Sequence, residues 1–220
     1  PPNPSVPSRI ALPAFRNVIV NGIVLAEDGK KMSKRLKNYP DPMEMLEKYG
    51  ADAMRYYLLT SPVMHAEAIN FSEKGVLEVY QKLINTLANV VEFWEQAKSQ
   101  WPEAESTDKR QTEHVLDLWI RTRLMQTGMD VQKNMEAYQL AAASRPILDF
   151  VLDLSQWYVR RSRDRVKFGS KEDASAVVNT LREVLCELSC VMAPFTPFIA
   201  EDIYQKVKNS DGDDSVHWQS

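Results

Sequence analysis

Glycine is scarce in this chain. There are seven in 220 residues, too few for turn-dense sheet architectures, in which tight turns recur between short strands. Cysteine is scarcer still. Cys186 and Cys190 stand four apart in a helical pattern, an awkward geometry for a disulfide, and read as reduced core residues of a cytosolic protein. No apolar run approaches the ~20 residues that a membrane-spanning helix needs. Residues 1–15 lack the basic, apolar and small-residue order of a secretory signal. Neither sign of charge prevails: the formal net charge is −3, so any surface for nucleic acid must be a local patch. Hydrophobic residues at 44% and charged residues at 26% exclude a wholly disordered chain. No period of 20–50 residues repeats, which excludes a solenoid.

What is present is mostly helix. Asp41-Pro42-Met43-Glu44 announces one, with Asp41 as cap, Pro42 at the first position and Glu44 completing a capping box. It should stop near Gly50, and a second short helix should run from Asp52 to Leu59. From Ser72 the apolar residues Val76, Tyr80, Leu83, Ile84, Leu87, Val90, Val91 and Trp94 recur at three and four, one long amphipathic stripe. Helical spacing returns over 115–129, 135–166, 174–192 and 199–207. Breaks are expected at Trp101-Pro102, around Gly128 to Asn134, at Gly169-Ser170 and at Ala193-Pro194, and Pro146 should start or kink its helix. The strand material lies early. Phe15 to Val20 and Ile23 to Leu25 flank Asn21-Gly22, a strong hairpin signal. The expected fold is mainly α: an antiparallel helical bundle of about five helices preceded by a short β-hairpin segment.

Two segments call for a chemical explanation. Five of the eight residues 30–37 are basic and none is acidic. A loop of that composition, opening after Asp28-Gly29, can close ammonium groups over a polyphosphate and stabilise charge on a leaving pyrophosphate. The alternative is a solvated basic surface loop. The second segment is Arg160, Arg161, Arg163, Arg165 and Lys167, with Asp164 the only acid among residues 160–167. Arginine's planar fork suits RNA phosphates, yet helical geometry divides these cations between faces, and one face should meet acids such as Glu201 or Asp202. Trp94, Trp119 and Trp157 fall on apolar stripes and read as core anchors. His65, His114 and His217 have no partners at metal-ligand spacing, so no metal site is expected.

Lys31-Met32-Ser33-Lys34-Arg35 resembles the KMSKS signature of class I aminoacyl-tRNA synthetases. It stands inside VIVNGIVLAEDGKKMSKRLKNYPDP and is followed by KYGADAMRYYLLTSP. Far downstream come LSQWYVRRSRDRVK (154–167) and VMAPFTPFIAEDIY (191–204). Together these separated stretches resemble the isoleucyl-tRNA synthetase family over about residues 14–208. Arg35 and the KNYPDP continuation are similar to its eukaryotic cytosolic, or eukaryote-like bacterial, branch.

The resemblance implies an organisation and a chemistry. Residues 1–13 would be a proline-rich lead-in, 14–72 the end of the catalytic domain with the signature loop and stem-contact helices, and 73–220 the anticodon-binding helical bundle. Lys31 and Lys34 would be catalytic, stabilising the phosphates of ATP (carried with Mg2+) as adenylate forms, with Ser33 a lesser ATP contact. Arg160, Arg161, Arg163, Arg165 and Lys167 would be the candidates for tRNA. The family's HIGH motif does not occur in these residues, and position 35 is Arg where the signature ends in Ser. The expectation is therefore a cytoplasmic tRNA-binding fragment of isoleucyl-tRNA synthetase, inactive alone. Its partners would be isoleucine tRNA, the N-terminal catalytic region with HIGH and other synthetases, with no membrane. A free-standing RNA-binding module and a helical protein-interaction bundle are the alternatives.

Overall fold

A computed structural model describes residues 14–102, 114–209 and 212–219; the proline-rich lead-in, residues 1–13, lies outside them. The strand material behaves differently from its local signal. Val24–Leu25 (β1) pairs in parallel with Ile69–Asn70 (β2), Val24 opposite Ile69 and Leu25 opposite Asn70. The Asn21-Gly22 hairpin does not form. Phe15, Val18, Ile19 and Val20 are exposed and lie in no strand, and the Gly22 N–H donates to the Val63 carbonyl at 2.7 Å. Gly22 is needed for that approach, because a Cβ there would lie 1.7 Å from the Glu67 carbonyl oxygen. The reversal occurs at Asp28-Gly29 instead, where Gly29 has φ 77°, Ala26 N–H donates to Lys30 O at 2.8 Å, and Leu25 bridges antiparallel to Lys31. A strand pairs where its backbone is best covered, and here that partner lies 45 residues onward.

Pro42–Leu59 forms α1, with the Asp41 carboxylate accepting the Met43 N–H at 2.8 Å. Gly50 interrupts it at φ 79°, ψ 160°, dividing it into two helical halves near the expected place. After a short 3-10 turn (Pro62–His65) and β2, Ser72 caps α2 (Glu73–Val79). A π-helical stretch, Tyr80–Asn85, leads directly into α3 (Thr86–Gln100), which ends at Trp101. Met45, Tyr49, Ala53, Phe71 and Val76 form a small core between α1 and α2, with Val24 and Met32 packed against it.

The larger core belongs to the bundle. Its helices are α4 (Val115–Glu136), α5 (Leu140–Leu152), α6 (Arg160–Phe168), α7 (Lys171–Met192) and α8 (Pro197–Val207), packed with α3 around Leu87, Trp94, Ile120, Phe150, Leu181 and Phe195. The expected break between Gly128 and Asn134 is absent. α4 runs through it and the chain turns back at Ala137–Gln139, where Tyr138 has φ 57°. One helical glycine costs only about 1 kcal/mol, less than the packing of Leu124, Thr127 and Val131 along the same face returns. Pro146 likewise lies inside α5 and does not start it. A second π-helical stretch, Asp153–Val159, joins α5 to α6 without a gap.

The second half of α1 grips the bundle. The Asp52 carboxylate caps α8, accepting Ile199 N–H at 2.7 Å and Phe198 N–H at 3.4 Å. Arg55 donates to the carbonyls of Pro194 (3.1 Å) and Phe195 (3.4 Å), and the buried Tyr56 hydroxyl donates to Ser144 O at 2.5 Å. Burial pushes the Asp52 carboxyl above its usual value against the lowering effect of its two backbone donors.

Candidate functional site

Asn38 ties the two ends of the basic loop together. The Asn38 amide oxygen accepts the Ser33 N–H at 2.9 Å, and its nitrogen donates to the Lys31 carbonyl at 3.2 Å. The Ser33 carbonyl in turn accepts Leu36 N–H (3.1 Å) and Lys37 N–H (3.0 Å), closing a turn in which Lys37 takes φ 46°. Met32 packs into the small core beside Met45 and Tyr49. The backbone is therefore pinned at 31, 33 and 38. Lys31 and Lys34 are exposed, and among the described residues neither has an ion pair. Lys30 does, with Asp28 at 3.3 Å. Such a loop presents cations without neutralising them, which is what binding a polyanion requires.

The basic helix sorts its cations sharply. Arg160, Arg161, Arg163 and Lys167 are exposed. Arg165 is 9% exposed and grips Asp117, which is fully buried, through two bonds of 2.8 and 3.0 Å, and Asp173 at 2.7 Å. Tyr158 completes the group, donating its hydroxyl to Asp117 at 2.7 Å. Burial alone would lower the Arg165 pKa, but the hydrogen bonds and charges of its two acids outweigh it and raise it. Arg165 is thus a structural cation joining α4, α6 and α7, and it is corrected out of the tRNA candidates. The expected acids were also wrong. Glu201 accepts from Ser215 and the Val216 N–H, and Asp202 pairs with Lys206 at 3.0 Å. No described hydrogen bond or ion pair joins the loop to α6.

Two family models match the chain: "tRNA synthetases class I (I, L, M and V)" over residues 9–72 and "Anticodon-binding domain of tRNA ligase" over residues 117–220. The isoleucine–tRNA ligase of Chlamydia trachomatis serovar A is 45% identical over 212 residues, covering 93% of this chain, and that of Chlamydia muridarum is 46% identical over 210. The chain belongs to the isoleucyl-tRNA synthetase family. It spans about a fifth of the length of these relatives, 20% in both cases. Solved synthetases share the fold at low identity. Mycobacterium tuberculosis methionyl-tRNA synthetase with methionyl-adenylate matches at a TM-score of 0.67 and 20% identity, over 83% of this chain and 36% of that one. The Agrobacterium radiobacter K84 LeuRS in ternary complex with tRNA and LeuAMS matches at 0.59 and 21%, over 87% and 22%.

Within this synthetase segment, sequence reasoning missed three residues. Asn38 was legible only as a neighbour of Tyr39-Pro40, though an amide beside a turn is a common backbone clamp. Asp117, an acid on an otherwise apolar helical stripe, was the available signal for the buried partner of Arg165. Trp157 is not a core anchor: it is 47% exposed, with the Arg161 guanidinium carbon 3.9 Å from its ring centroid. Trp94 is buried as expected, its indole donating to Val178 O at 3.2 Å, and Trp119 is half-buried against the core. Cys186 and Cys190 are free and half-buried. His114 serves as the cap of α4, its Nδ1 accepting the Leu116 N–H at 3.2 Å. Among the described residues no three His, Cys, Asp or Glu gather as metal donors, and no helix is long and apolar enough to cross a membrane.

Proposed function

We propose that this chain supplies the signature loop and the tRNA-binding helical domain of a cytoplasmic isoleucyl-tRNA synthetase, whose full-length form attaches isoleucine to its tRNA at the expense of ATP. The observation that carries this reading is the loop held open by Asn38, with Lys31 and Lys34 exposed and unpaired among the described residues. Residues 14–72 are the end of the catalytic domain with its stem-contact helices, and 73–220 the domain that meets the anticodon arm of isoleucine tRNA.

In this role the ammonium groups of Lys31 and Lys34 hold the phosphates of ATP, which enters with its Mg2+. They strengthen their hold as negative charge gathers on the departing pyrophosphate, so their effect falls on the transition state. The Ser33 hydroxyl is a lesser contact. Arg160, Arg161, Arg163 and Lys167 neutralise tRNA phosphates, and Arg165 keeps their helix in register.

Isoleucine-dependent ATP–pyrophosphate exchange tests this. In the full-length ligase, Lys31→Ala and Lys34→Ala should each slow exchange by about 10²- to 10³-fold, the scale of losing one transition-state donor. The 220-residue chain alone, which contains no HIGH motif, should give none. Undiminished exchange in Lys34→Ala would refute the assignment of the loop.

A further inference from the structure

We propose that Trp157, stacked with Arg161, is a platform on which an unpaired base of bound tRNA lies, so that the outer face of α6 engages a single-stranded loop and not only backbone phosphates. The inference rests on the assignment of α6 to tRNA and adds a stacking contact to it.

Tyr158, the next residue, is buried and bonded to Asp117, whereas Trp157 leaves nearly half of its surface in solvent. The largest apolar side chain of this stretch is thus withheld from a core that takes its neighbours on either side, Leu154 and Val159 among them. A guanidinium lies over its ring at 3.9 Å, and Arg161 has no carboxylate partner among the described residues. Phe168 repeats the arrangement at the C-terminal end of α6. It is 74% exposed, with the Lys167 ammonium 5.1 Å from its ring. Eleven residues separate the two rings, across the end of the π-helical stretch and the whole of α6. Between them in sequence stand the exposed Arg160, Arg161 and Arg163, with Asp164 the one acid of the set.

Rings capped by cations and separated by free arginines are poorly matched to an apolar protein partner, which would have to desolvate several unpaired charges. They suit a polyanion that also carries π-faces. Bases in a duplex stack on one another and are closed to such a ring, whereas bases in a loop can be splayed out onto an aromatic or a guanidinium plane. The exposed Arg160 and Arg163 then meet neighbouring phosphates of the same strand.

The test uses the full-length ligase and its tRNA. Trp157→Phe, Trp157→Ala and the pair Arg160→Gln with Arg163→Gln are compared by intrinsic fluorescence and by affinity across a salt series. A base stacked on the indole should quench emission in the parent enzyme, and Trp157→Phe should abolish that quench while keeping most of the affinity. Trp157→Ala should weaken binding about tenfold, within the usual range for one stacked base, with an unchanged salt slope because every phosphate keeps its cation. The arginine pair should do the reverse and flatten the slope. A quench that survives in Trp157→Phe, or parental affinity in Trp157→Ala while the arginine pair flattens the slope, overturns the platform alone. An indole closed to a neutral quencher before RNA is added also overturns it, since protein then covers the ring. No change in tRNA binding from any of these variants overturns both the platform and the assignment of α6 to tRNA.

Discussion

Residues 30–37 and residues 160–167 each carry five cations in eight positions, and the fold holds them in different ways. The loop leaves Lys31, Lys34, Arg35 and Lys37 outward, with Asn38 and Met32 fixing the backbone beneath. The helix needs no such clamp. It supplies its own backbone bonds and turns one cation inward, where Arg165 ties Asp117 and Asp173 together. Helical periodicity forces that division: with cationic and polar positions wound all around one axis, some must face the core, and a buried cation persists only beside buried acids. A loop has no such constraint and can turn every charge to solvent. Local charge count therefore says little about function until the backbone beneath it is known.

The sharpest way to break this comparison is to remove the inward cation. Arg165→Leu strips the buried Asp117 carboxylate of the guanidinium that balances its charge and should cost about 3–5 kcal/mol, read as a large fall in the melting temperature of the chain. Arg160→Leu, five residues earlier on the same segment, should stay within about 0.5 kcal/mol of the parent. Equal effects would erase the distinction between the two arginines. A smaller effect is expected at the loop's clamp. Asn38→Ala keeps every lysine but frees the turn, and should slow exchange in the full-length ligase by about 10- to 100-fold, since small misplacements of a charged group carry penalties of that order. Smaller again is the paired change Arg160→Gln with Arg163→Gln, which should reduce the salt slope of tRNA binding by about 0.7–0.9 for each phosphate that is no longer neutralised.

The smallest effect lies at the joint between α1 and α8. Burial raises the Asp52 pKa, so the folded state holds this proton more tightly than the unfolded chain does. Its contribution to stability therefore increases as pH falls from neutral through the folded value, and levels off below the unfolded one. Asp52→Asn keeps an acceptor for the Ile199 N–H and removes the titration. Its melting temperature at neutral pH should stay near the parent's, with the parent gaining on the variant as pH falls through that window. A difference that moves in the opposite direction would mean that the two backbone donors and Arg55 dominate over burial.

Much of the helical framework was legible because its signals are local. Asp41-Pro42, Gly50, Ser72 and Ser170 mark helix ends through caps and backbone preferences that act within a few residues. The apolar stripe from Val76 to Trp94 follows from periodicity alone. What failed depended on distant partners. Asn21-Gly22 carries a hairpin signal, but the backbone of Glu67 and Val63 occupies its neighbourhood and β1 pairs with Ile69–Asn70. Gly128 carries a break signal that tertiary packing overrides. At the candidate site, the signature lysines were legible as a motif, while the inward turn of Arg165 and the outward turn of Trp157 depend on where α4 and α7 lie against α6. No periodicity within residues 154–167 contains that information.

The central claim is that the loop acts on ATP and the outward arginines act on tRNA, each without the other. One crossed measurement on the full-length ligase addresses it directly: exchange rate and salt slope of tRNA binding, both recorded for Lys34→Ala and for Arg160→Gln with Arg163→Gln. The account predicts that Lys34→Ala loses exchange by about 10²- to 10³-fold and keeps the parent's slope, while the arginine pair keeps the exchange rate and flattens the slope. A Lys34→Ala enzyme with parental exchange, or an arginine pair with a parental slope, would contradict it.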